Sequence, residues 1–232
     1  MRFQGFYIGP DIPATDSRVL DRRFYMGPSV WPTADLLPHK SLKDPAEQYY
    51  SAVYNLSLRV LDMIFATLPA GASRKLVEFT DPALVAAPLR LLHYPPAQIT
   101  DQRQLGSSAH TDFGAITLLL QDGNPGLEVY DEASQTWHEI EPTRNAYVVN
   151  VGDMLEMWTG HRFKSSLHRV INKKPVDRYS VVFFFDGNLD CGLSSLDGSA
   201  ADEKGLTVEQ HMISRMTQSY HGKDPRGAKA SS

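Results

Sequence analysis

Between residues 44 and 68 apolar side chains return at mostly three- and four-residue steps: Val53, Leu56, Val60, Leu61, Ile64, Phe65 and Leu68. That period predicts a helix with one stripe to bury. Asp44-Pro45-Ala46-Glu47 predicts its start, supplying an N-cap oxygen, a proline at N1 and a carboxylate at N3. Pro69 and Gly71 predict its end, and a shorter helical turn is expected over 73–79. From Pro88 the period changes. Residues 89–94, 115–121, 127–130, 137–140, 146–151, 154–158, 166–171 and 179–186 read as strands. The turns between them are mostly too short for crossover helices, so an antiparallel sandwich or jelly roll fits better than a parallel sheet. Residues 1–45 carry six prolines and are expected to lie extended over the core. A Gly/Ser-rich loop over 187–199 leads to a last helix over 206–220.

Composition narrows the partners. The 232 residues are enough for one domain, with an extended segment plus helices over 1–87, the β core over 88–190 and a C-terminal loop and helix over 191–232. Twenty-three basic against 27 acidic residues, with no basic run, leave no electrostatic footprint for nucleic acid or anionic lipid. A small-molecule or protein partner is expected instead. Cys191 is the sole cysteine, which excludes an intramolecular disulfide and fits a reducing compartment, so a cytoplasmic location is expected. The first ten residues lack the apolar stretch of a secretory signal, and runs such as 181–185 are too short to span a bilayer.

The chemistry centres on His110-Thr111-Asp112, where alternation in an extended chain lets His110 and Asp112 project to one side. His168, 56 residues beyond Asp112, sits in a predicted strand. Two imidazoles and a carboxylate can occupy one face of an octahedral metal and leave the other face open, as in non-haem Fe(II) oxygenases. His-x-Asp alone also arises by chance, as a solvated pair at a strand edge. Arg178, Ser180, Val182 and Phe184 should share one face of the next strand, and an arginine pointing into an apolar interior calls for an anion. That anion is either a bound carboxylate or a protein carboxylate at the barrel rim. His39, His93, His138, His161, His211 and His221 have no ligand partners at short spacing and read as surface or capping residues. Phosphate-binding glycine loops, a GxSxG elbow and CxxC pairs are missing, which lowers the prior for nucleotide-dependent chemistry, serine hydrolysis and zinc ribbons.

Together with Gly5-Phe6-Tyr7-Ile8-Gly9, Gly27-Pro28-Ser29-Val30-Trp31-Pro32 and Leu89-Arg90-Leu91-Leu92-His93-Tyr94-Pro95-Pro96, these residues resemble the Fe(II)/2-oxoglutarate-dependent dioxygenases, in the isopenicillin N synthase-like branch. The resemblance implies a mainly β fold, a double-stranded β-helix with flanking α-helices. It places the facial triad on His110, Asp112 and His168, and the Arg-x-Ser motif on Arg178 and Ser180. Tyr94 matches the tyrosine that helps hold the cosubstrate, while Leu92 replaces an asparagine found in some plant members. The implied cofactors are Fe(II), 2-oxoglutarate and O2. The implied reaction is hydroxylation, desaturation or cyclisation of a small organic or natural-product substrate, with succinate and CO2 as coproducts. Phe113, Val182, Phe184 and Met212 are candidates for the substrate wall. Two rivals stay open: an oxidase in which the Arg/Ser pair binds a substrate carboxylate without 2-oxoglutarate, and a non-catalytic jelly roll. Family members carry a further N-terminal segment not found before Met1. The chain is therefore expected to be a short member, naturally or through an incomplete sequence, with an uncovered sheet edge.

Overall fold

The computed structural model describes residues 3–69, 72–96, 105–194, 196 and 205–220. Gly71, His221 and most of the predicted loop beyond residue 194 lie outside them. The strands are β1 (Gln4–Ile8), β2 (Val85–Ala86), β3 (Leu89–Tyr94), β4 (Leu105–His110), β5 (Ile116–Gln121), β6 (Leu127–Asp131), β7 (Thr136–Glu139), β8 (Val148–Val151), β9 (His168–Ile171), β10 (Arg178–Phe185) and β11 (Gly187–Asn188). The helices are α1 (Ser17–Leu20), α2 (Lys43–Phe65), α3 (Ala72–Phe79), α4 (Asp153–Trp158) and α5 (Val208–Tyr220). A five-stranded sheet runs β1-β3-β10-β5-β8 and a four-stranded sheet runs β4-β9-β6-β7, every pairing antiparallel. The fold is a double-stranded β-helix.

Strand β10 shows how the layers are divided. Phe183 and Phe185 are fully buried and face the helices, where Tyr50 of α2 meets Phe183 edge-on at 5.4 Å and Tyr54 lies 5.6 Å from Phe185. Arg178, Ser180, Val182 and Phe184, one residue out of step, face the interior between the sheets. One core therefore joins α2 and α3 to the large sheet. A smaller one, built on Leu92, Tyr94, Leu127, Val170 and Val182, lies between the sheets.

Four local expectations are corrected. Helix α2 starts at Lys43 with Leu42 as N-cap and no side-chain cap bond, so Asp44 and Pro45 sit in the first turn. A 3-10 turn, His39–Ser41, runs straight into it, and the Ala46 amide already donates to Leu42 O at 3.0 Å. Residues 154–158 are helical, not a strand: the run belongs to α4, which buries Asp153, Met154, Leu155 and Trp158. A short apolar run is compatible with either state until its tertiary neighbours decide. The proline-rich segment contains β1 on the edge of the large sheet and α1, capped by Asp16, whose carboxylate accepts from the Arg18 amide at 2.9 Å. Finally, a strand absent from the expected set, β4, precedes the His-x-Asp motif, so His110 ends a strand.

Candidate metal and cosubstrate site

The β4–β9 pairing sets His110 directly opposite His168, with ring centroids 4.3 Å apart. Asp112 follows two residues after β4 and is held by its backbone, its carbonyl accepting from the Asp153 amide at 2.8 Å. One ligand atom from each of the three residues lies within 4.8 Å of the others, and His168 Nε2 is 3.7 Å from Asp112 Oδ1. Hydrogen bonds behind the three side chains make the cluster directional. His110 Nδ1 donates to Ser108 O at 2.7 Å and His168 Nδ1 to Ser166 O at 3.0 Å, which leaves each Nε2 lone pair for the cluster. Asn150 Nδ2 donates to Asp112 Oδ2 at 2.7 Å and leaves Oδ1 facing the imidazoles. Burial first, and then the neighbouring His168, holds His110 below the usual imidazole range, which favours the neutral ligand form.

The interior cavity, about 100 Å³, runs from this cluster to Arg178. Arg178 is completely buried, and burial lowers its affinity for a proton. Its Nε donates to Asn124 O at 3.2 Å and its Nη2 to Gln121 Oε1 at 2.8 Å. Its Nη1 is buried without a partner, as is Ser180 Oγ. Among the described residues no carboxylate forms an ion pair with Arg178, so the rim ion pair is not what the interior arginine meets. Tyr94, 3% exposed, places its ring centroid 5.1 Å from the guanidinium carbon. Gly106 makes room for that ring: a Cβ there would lie 2.7 Å from Tyr94 Cδ1.

A second pocket of about 220 Å³ shares Arg90, His110, Asp112 and Phe184 with the inner cavity. Phe113, Phe184 and Met212 line it, Phe184 also lines the inner cavity, and Val182 lines the inner cavity only. Tyr7, Tyr25, Arg90 and Asp186 add polar groups that sequence reasoning did not single out. Burial, and then the charge of Asp112, pushes the Asp186 carboxyl up to about 8. Of the remaining histidines, His93 faces away, bonded to Gln4 Oε1 and Asp177 Oδ1. His211 is a correction: it is 7% exposed, and its Nε2 donates to Phe113 O at 2.9 Å, tying α5 to the metal loop. Sequence reasoning also missed Asn150 and Gln121, although a polar residue on the inward face of an apolar strand marks both.

A double-stranded β-helix that converges two imidazoles and a carboxylate beside a buried, anion-seeking arginine defines a non-haem metal oxygenase of the jelly-roll class. The profile of the 2OG-Fe(II) oxygenase superfamily matches residues 86–187. The chain is 54% identical over 226 residues to the 2-oxoglutarate-dependent dioxygenase citB of Monascus ruber, covering 94% of this chain and 68% of that protein. It is 44% identical to the clavatol oxidase claD of Penicillium crustosum, covering 94% and 66%. Among solved structures it resembles a full-length Neurospora crassa protein in complex with alpha-KG, with a TM-score of 0.76 and 26% identity over 94% of this chain and 66% of that one. The chain thus spans about two thirds of the length of these relatives. It belongs to the 2OG-Fe(II) oxygenase superfamily and is a 2-oxoglutarate-dependent dioxygenase, with Fe(II) and 2-oxoglutarate as its cofactors.

Proposed function

We propose that His110, Asp112 and His168 bind the Fe(II), that Arg178, Ser180 and Tyr94 hold the distal carboxylate of 2-oxoglutarate, and that a small organic substrate of natural-product type is oxidised in the second pocket. The observation that carries this reading is the pair of orphaned polar atoms, Arg178 Nη1 and Ser180 Oγ. A buried donor without a partner costs about 1–3 kcal/mol, and two of them on alternate residues of one strand match the two oxygens of a carboxylate. Fe(II) held by His110, Asp112 and His168 would, with 2-oxoglutarate and O2, supply the oxidation, with succinate and CO2 as coproducts.

The chain's own residues contribute position and dryness. Ser108 and Ser166 fix the imidazole tautomers through their carbonyls, Asn150 fixes the carboxylate, and Leu92, Leu119 and Val182 wall the cosubstrate cavity against water. The second pocket, the roomier of the two, also reaches His110 and Asp112 and suits the substrate. The relatives support a small-molecule substrate: one is a clavatol oxidase, and the Neurospora crassa protein was also crystallised with thymine.

The test is calorimetry on the anaerobic, Mn(II)-loaded chain, followed by counting succinate across a substrate panel in air. Metal-dependent 2-oxoglutarate binding is expected, with succinate formation accelerated by the right substrate. If 2-oxoglutarate binds equally well without metal, or binds unchanged when Arg178 is replaced, the assignment of these residues fails.

A further inference from the structure

One cation beside the cluster is used by neither the metal nor the cosubstrate in this reading. Arg90 lies on β3, on the inward face it shares with Leu92 and Tyr94, and it lines both the inner cavity and the second pocket. Its guanidinium is clamped. The central carbon stands 4.7 Å from the ring centroid of Phe3 and 4.7 Å from that of Tyr7. Between them Gly5 leaves the space the side chain needs, since a Cβ there would meet Arg90 Nε at 3.1 Å and Nη2 at 3.3 Å. Phe3, Gly5 and Tyr7 are alternate residues, so one face of the edge segment forms the whole cradle.

A guanidinium held by ring faces keeps its N–H edge for another acceptor. Arg90 Nε is buried without a hydrogen-bond partner, and among the described residues no carboxylate forms an ion pair with Arg90. Arg90 shares the lining of both the inner cavity and the second pocket with His110 and Asp112, which places it beside the metal cluster. Phe113, Phe184 and Met212 line the same pocket and give it an apolar wall suited to a flat body.

We propose that Arg90 determines substrate specificity by receiving an anionic oxygen, a carboxylate or acidic phenolate, carried on a flat, largely aromatic substrate whose apolar body packs on Phe113, Phe184 and Met212. This inference rests on the reading of the site as an oxygenase centre with its cosubstrate on Arg178. The anchor would present the part of the ring away from the anion to the metal cluster.

The probes are 4-hydroxybenzoate, 2,4-dihydroxybenzoate and 2-methylbenzoate, each compared with its methyl ester, by calorimetry on the anaerobic chain loaded with Mn(II) and 2-oxoglutarate. At least one acid is expected to bind roughly tenfold more tightly than its ester, the scale of one charge-assisted hydrogen-bonded pair. Arg90→Met should abolish that preference with 2-oxoglutarate affinity unchanged, and Arg90→Lys should keep part of it. The acid-to-ester ratio of the unmodified chain tests the idea even if the Met variant folds poorly. Equal binding of acids and esters, no binding of any acid, or a preference that survives Arg90→Met would overturn it. So would a matching loss of 2-oxoglutarate affinity in Arg90→Met, which would put Arg90 on the cosubstrate. Failure of the unmodified chain to bind 2-oxoglutarate would instead strike the underlying site assignment, and it is read before any probe is added.

Discussion

His110 and His168 stand opposite each other where β4 pairs with β9, and each ring donates its Nδ1 proton to the carbonyl two residues before it, Ser108 in one case and Ser166 in the other. The backbone thus sets both tautomers and both ring planes. A ligand set oriented by its own strands needs little reorganisation when metal enters.

Removing one ring should therefore separate metal binding from folding. His168→Ala is expected to abolish stoichiometric iron and 2-oxoglutarate turnover, while the β-rich circular dichroism spectrum persists, because the strand keeps its backbone ladder to β4 and β6. Iron content by metal analysis and succinate yield are the readouts. Full iron occupancy with normal turnover in the variant would rule out His168 as a ligand.

Arg178→Leu should weaken 2-oxoglutarate binding by about 2–5 kcal/mol, since the anion would be buried without its cation. The thermal shift given by saturating 2-oxoglutarate in the unmodified chain should vanish with it. An unchanged shift would assign Arg178 a structural role served by Asn124 and Gln121 alone.

How far this site was readable before the fold depended on what each residue's signal was. Alternation put Arg178, Ser180, Val182 and Phe184 on one face, and the structure keeps all four along the inner cavity. Spacing could suggest His110, Asp112 and His168 but could not place them, because the β4–β9 register that joins the two histidines carries bulges and involves a strand, Leu-Gly-Ser-Ser-Ala-His, with no β-branched residue. The run at 154–158 was ambiguous by length, and only its burial against Phe65 and Phe79, through Trp158, makes it helix. Arg90 sits inside a family-like stretch of sequence that gives it no role of its own. Its meaning comes from Phe3, Gly5 and Tyr7, more than 80 residues away, which no local pattern connects.

Asn150 offers a test of how the metal ligands are held. Its amide occupies Asp112 Oδ2 at 2.7 Å, so Asn150→Leu, similar in shape, would free the carboxylate to rotate. Metal affinity should fall by roughly 10–100-fold with the three ligands intact. Competition with a metal-sensitive dye measures this directly, and an affinity equal to the parent's would leave Asn150 without a positioning role.

The C-terminal helix gives the pH prediction. His211 is held below the ordinary imidazole range chiefly by burial, while its Nε2 donates to Phe113 O at 2.9 Å. The same helix carries Arg215, bridged to Asp153 at 2.6 Å, and Met212 on the pocket wall. The unfolded chain, with an imidazole near its usual value of about 6.5, takes up a proton first as pH falls. The stability tied to the neutral ring is therefore complete above that value and is lost as pH falls through the depressed folded value, with a slope of at most about 1.4 kcal/mol per pH unit. His110 titrates in the same direction, so unfolding at pH 7.5 and 5.5 must be compared between the parent and His211→Gln, whose amide can still donate to Phe113 O but does not titrate. The contribution of His110 cancels in the difference, and the variant should lose less stability on acidification than the parent. Equal losses in the two proteins would mean that α5 stays docked through Arg215 and its packing whatever the charge on His211, and that acid acts on this fold through His110 and other groups.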